Sequence, residues 1–127
     1  MQHTARTNYV RFENLEGLKQ KLAQLRDEGV FEFAENEDGQ HAILLSDPEQ
    51  SMLLPSTFTT SVMPFVAEGE VLIVMHLIAD GLDWLDASAY AFRRQGKAVH
   101  MTALSLSEIY SRACAQFDTR EFTLCEG

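Results

Sequence analysis

Basic residues are scarce in this chain: ten Lys and Arg stand against nineteen Asp and Glu, for a formal charge of −9. A nucleic-acid backbone is repelled at long range by such a charge unless the basic residues gather in a patch, and along the sequence they do not. Direct nucleic-acid binding is therefore not expected. Cysteine is equally sparse. Cys114 and Cys125 are too few for a disulfide framework and their spacing fits no zinc signature, so a reduced, cytoplasmic setting is the expectation. No apolar run reaches the roughly 18 residues of a membrane span, and the polar stretch 1–10 lacks the apolar segment of a secretory leader. No linker, fixed-period repeat or low-complexity tract divides the 127 residues, so 1–127 reads as one domain. A domain of this size buries enough surface to need neither a structural metal nor a disulfide.

Catalytic signatures are missing as well. The chain has no His-Glu-x-x-His, Cys-x-x-Cys, Gly-x-Ser-x-Gly or Gly-rich phosphate loop. Of the four histidines, His41, His76 and His100 fall on expected strands, and His3 lies in the polar N-terminal stretch. His76 and Asp80 form the nearest acid–base pair in sequence, but four residues of extended chain separate them by about 13 Å. Cys114 sits in the later turns of an expected helix, where the dipole disfavours a thiolate. Glu35 to Gly39 offers closely spaced oxygen ligands without the order or the twelfth-position Glu of a calcium loop. The expectation is a non-enzymatic protein with no metal and no cofactor.

What the sequence does contain is patterned apolar residues. Val10 and Phe12 suit a short strand. Leu15, Leu18, Leu22 and Leu25 recur at helical spacing, with Asn14 placed to cap and Gly29 to terminate. Residues 30–34 and 41–46 flank an Asp38-Gly39 turn and predict a hairpin. After a loop over 47–56, residues 57–65 and 71–79 read as a second pair of strands. The latter is apolar on both faces except at His76, as in a strand covered on two sides. Residues 82–95 admit helix or strand. Helix is preferred, because Leu82, Leu85, Ala89 and Phe92 share a stripe, acids lead, Arg93 and Arg94 follow, and Gly96 can cap. A strand over 97–103 and a helix opened by a Ser105–Glu108 capping box complete the chain, with Leu106, Ile109, Tyr110, Ala113 and Phe117 as that helix's buried face. Phe122 and Leu124 suggest a weak edge strand in the tail. The order β-α-β-β-β-β-α-β-α is that of an α+β fold with about three helices on a mostly antiparallel sheet. Without the second hairpin and the last helix it follows a ferredoxin-like series.

One feature rises above this background. From Asp27 to Phe92, 66 residues contain no Lys or Arg but thirteen acids. One reading is a solvated sheet surface that keeps the protein soluble. The functional reading is an acidic region that steers and docks a basic protein partner. Its candidate residues are Glu35, Glu37, Asp38, Glu68, Glu70, Asp83, Trp84 and Asp86; in the helical reading Trp84 stands about 120° from the apolar stripe, at a boundary suited to an interface. Inhibitors of basic toxins or nucleases, mimics of nucleic-acid charge and acidic escort chaperones share this size and charge, and no motif selects among them. The alternative is a dimeric small-molecule binder or enzyme, its pocket between sheet and helices and lined by His76, Trp84 and His100. Met52, Leu53, Leu54 and Trp84 lie outside the core stripes and point to a homodimer.

Overall fold

The computed structural model of the protein describes residues 2–25, 30–46, 55–81 and 84–120. Six strands form one antiparallel sheet: β1 (Gln2–Thr7), β2 (Val30–Glu35), β3 (His41–Ser46), β4 (Val71–Asp80), β5 (Trp84–Gln95) and β6 (Ala98–Ser105). Their spatial order is β2-β3-β1-β4-β5-β6. Helix α1 (Leu15–Leu25) follows β1, and α3 (Glu108–Phe117) follows β6. Between β3 and β4 lies a helical run made of α2 (Pro55–Thr57), a π turn (Phe58–Val62) and a 3₁₀ turn (Met63–Phe65). This is a small α+β fold.

Local rules explain several elements. The Asn14 side-chain oxygen accepts a hydrogen bond from the Gly17 amide at 3.1 Å, satisfying one of the orphan donors at the start of α1. In the β2–β3 hairpin, Gly39 takes φ of +74°, and Asn36 Oδ1 accepts from the amides of Asp38 and Gln40. Glu108 reaches back to the Ser105 amide at 3.2 Å, one half of the expected capping box.

The core lies on one side of the sheet. Ala5, Ile43, Leu45, Leu72, Val74 and Phe92 from the strands meet Leu18 and Leu22 of α1, and Phe58, Val62 and Met63 of the helical run. Phe58 stacks on Phe92 with ring centroids 6.0 Å apart.

Four sequence expectations are corrected. Residues 57–65 are helical, not a strand. Phe58, Val62 and Met63 are buried at i, i+4 and i+5, while Thr59 and Thr60 turn their hydroxyls back onto the carbonyls of Pro55 and Ser56. Residues 84–95 form a strand, not a helix, because β5 pairs along its length with β4 and along residues 88–95 with β6. Gly96 does adopt positive φ, but as a hairpin turn; a helix C-cap requires the same conformation. The N-terminal stretch is a central strand, and Val10 and Phe12 make only isolated bridges, to His41 and Val66. The ferredoxin-like series is present, with β1 between β3 and β4, but it is carried by β1, α1, β2, β3, the helical run and β4, and not by the elements expected at 82–95 and 97–103. The sequence candidates at 26–29, 47–54 and 121–127 lie outside the described residues.

The core account predicts that Phe92→Ala lowers unfolding free energy by about 3–5 kcal/mol. Replacing the exposed Thr102 by Ala shifts it by no more than about 0.5 kcal/mol. Urea denaturation of both variants checks the contrast.

Candidate functional site

Successive strand residues point to opposite faces, so the register assigns each side chain to the core face or to its reverse. On β4 the alternation is plain: Leu72, Val74 and His76 are buried, whereas Val71, Met75 and Leu77 are exposed on the other side. The strand expected to be covered on both faces is covered on one. Met75 keeps 57% and Leu77 45% of their surface, large values for apolar side chains on a central strand. Their neighbours continue the open face. Met75 sits opposite Ala89 and Leu77 opposite Ala87 on β5, and Ala89 opposite Leu104 on β6.

Helix α3 overhangs this face. The Leu106 amide donates to the Ala87 carbonyl at 2.7 Å and fixes the helix entry beside β5. No residue of α3 is buried, and Ile109 and Phe117 are 56% and 71% exposed. The buried face expected for this helix is therefore open; of its residues Glu108, Ile109 and Arg112 look onto the groove. Between helix and sheet runs an open groove of about 670 Å³. Met75, Leu77, Ala87, Ala89, Leu104, Leu106 and Ile109 line it, with Arg6, Glu108 and Arg112 among its polar residues.

The acidic candidates fall into two groups. The β2–β3 turn carries Glu35, Glu37 and Asp38. It lies at the same end of the sheet as the Glu68–Glu70 turn, since Val10 bridges His41 and the Arg11 carbonyl accepts from Ala67. Here Glu68 accepts the Gly96 amide at 2.6 Å, Glu70 accepts the Arg11 amide at 3.0 Å, and Glu35 lies 3.8 Å from His41. Glu37 and Asp38 are exposed. Asp86 belongs to the opposite end, paired in register with Ile78. Ten residues of β4 put about 30 Å between the two ends. Trp84 pairs in register with Asp80; its side chain and Asp83 lie outside the described residues.

The histidines of the alternative pocket separate. His100 is exposed on β6 opposite Arg93 and outside the groove. His76 turns to the core face, where its Nε2 lies 3.1 Å from Nδ1 of His3 on the neighbouring strand. Both rings are buried. Such a contact needs one donor and one acceptor, so the two imidazoles cannot both be protonated. Burial and then the proximity of His3 hold the His76 pKa below its ordinary value, with Asp86 pulling in the opposite direction. Sequence reasoning missed His3 because its strand is too polar to show. It also missed the open face, because an apolar strand pattern does not say which faces are covered.

The chain matches no family model, no curated protein and no solved structure. Among the described residues no helix is long and apolar enough to cross a membrane, and no cluster of three or more His, Cys, Asp or Glu is arranged to hold a metal.

A folded-state pKa below the unfolded value near 6.5 means that the unfolded chain takes up the proton more readily. His76 therefore supports the fold at neutral pH and withdraws that support as pH falls through about 6.5. His76→Gln, which keeps a neutral polar group, should lose less stability than wild type between pH 7.5 and 5.5. Urea midpoints that shift equally in the two proteins would refute this role.

Proposed function

We propose that the protein is a non-enzymatic interaction protein that docks a basic protein partner through the acid-bearing end of its sheet. The observation that carries this reading is the convergence of two turns, some thirty residues apart in sequence, that together supply Glu35, Glu37, Asp38, Glu68 and Glu70. Glu68 and Glu70 brace the turn through backbone amides, which fixes their position at the cost of part of their acceptor capacity. Glu37 and Asp38, exposed on a hairpin tip shaped by Asn36, are the residues best placed to meet a partner first. Their contribution is one of steering and orientation, since exposed charges act more on association rate than on final affinity. Trp84 and Asp86 belong to the far end and would extend the contact only for a partner that spans the sheet; Asp83, named with them, lies outside the described residues.

The alternative small-molecule reading gains less from the geometry. Of its histidines, His76 contributes to the groove wall but turns its ring to the core beside His3, and His100 lies outside the groove.

The test begins with capture of partners from the native source at low salt, elution at high salt, and purification of the eluted protein. Stopped-flow association of that protein with a Glu37→Lys/Asp38→Lys variant should be about tenfold or more slower than with wild type at low ionic strength. The difference should close near 1 M salt, where the screening length is about 3 Å. Equal rates for the two proteins, or an acidic partner, would contradict the proposal.

A further inference from the structure

The open sheet face and the apolar side of α3 are two amphipathic surfaces of one chain, each short of cover among the described residues. A ten-residue helix is below the roughly 12–15 residues that hold together unaided in water, so α3 depends on packing. Its own sheet supplies little, since none of its side chains is buried. The sheet offers the complementary shape. Ala87 and Ala89 make a low floor on β5, between Met75 and Leu77 on one side and Leu104 on the other.

We propose that a second copy of this chain covers the face, the two α3 helices lying side by side over the β5 alanines about a two-fold axis. Charge favours this occupant. The four strands under and beside α3, β1, β4, β5 and β6, carry Arg6, Arg93 and His100 on the open face and no carboxylate among their described residues, and Glu32 stands apart on the outer strand β2, so two chains of charge −9 can meet over β5 without setting acid against acid. Glu108 and Arg112, one turn apart on α3, can pair reciprocally across the axis, as an isologous contact requires. Area favours it too. Met75, Leu77, Leu85, Leu104, Leu106, Ile109 and Phe117 are each about half exposed or more. Together they offer roughly 600 Å² of apolar surface per copy, most of the ~800 Å² per partner of a standard interface. The dimer leaves the acid-bearing end of the sheet free and does not depend on the docking reading above.

Sedimentation equilibrium of the full chain over about 1–100 µM, a span that brackets micromolar dissociation constants, should give twice the 14.3 kDa chain mass. Ile109→Asp and Leu77→Lys, both at exposed positions outside the core, should each raise the dimer Kd by about 30-fold or more while circular dichroism retains the sheet signal. Arg112→Glu should weaken the dimer, since it sets carboxylate against Glu108 across the axis, while circular dichroism retains the sheet signal. Glu37→Lys should leave the mass unchanged. A monomer at every concentration, with or without uptake of a small apolar dye by the groove, would overturn the proposal. A dimer whose Kd ignores the open-face substitutions would overturn it equally.

Discussion

Everything in this sheet depends on β1. The β2–β3 hairpin and the β4–β5–β6 meander are separate antiparallel units, and in the strand order only β1 joins them. All six of its residues pair with β4 on one edge, and Thr4, Ala5 and Arg6 pair with β3 on the other. Thr7 extends the junction by accepting the Ile43 amide. Asn8 carries it one step further, its backbone and side chain both bonded to Ile73. Both edges being occupied, β1 needs few apolar residues to stay in place; hydrogen-bonded backbone and three buried side chains, His3, Ala5 and Thr7, suffice. The cost is a pair of imidazoles in the interior. It is tolerable because the two rings share a hydrogen bond, and the lowered pKa of His76 makes the junction sensitive to acidification.

That junction also sets the sidedness of the molecule. α1 and the helical run 55–65 both return to the same face of the sheet, where they bury the apolar residues of β1, β3, β4 and β5. Among the described residues only α3 faces the reverse side, across the groove it shares with β1, β4, β5 and β6. The sheet is thus finished on one side and unfinished on the other. Most described acids lie in the turns, and the unfinished face is largely apolar, with Arg6, Arg93 and His100 on its central and β6 strands and Glu32 on the outer strand β2. Charge and apolar surface are separated in space, which suits a protein with two different contacts.

Where local chemistry and tertiary packing agree, the sequence is legible. Asn14 before a leucine stripe, Asp38-Gly39 between strands, the apolar run at 71–79 and Glu108 after Ser105 each produce the expected element. Where two structures demand the same residue types, the sequence misleads. Gly96 serves a hairpin as well as a helix cap, and Ala89 and Phe92 fit either period, so β5 is decided by pairing with β4 and β6. Thr59, Thr60 and Val62 favour strands by propensity, yet burial of Phe58 and Val62 one turn apart prevails. β1 is invisible because a strand paired on both edges can be held by backbone bonds with polar side chains. The acidic candidates were legible as an interval free of Lys and Arg, but their division between two ends of the sheet follows from register alone. The open face left only half a signal: apolar residues on both sides of β4, with nothing to say that one side lacks a partner.

The central claim is that α3 and the reverse face of the sheet complete each other only between two chains. Amide hydrogen exchange, read residue by residue at high and at low protein concentration, tests it most directly. The account predicts that amides of β1 and β4 stay protected at both concentrations, while those of α3 are protected at high concentration and exchange freely on dilution. Protection of α3 that is the same at both concentrations would mean that its own sheet holds it, and would contradict the claim.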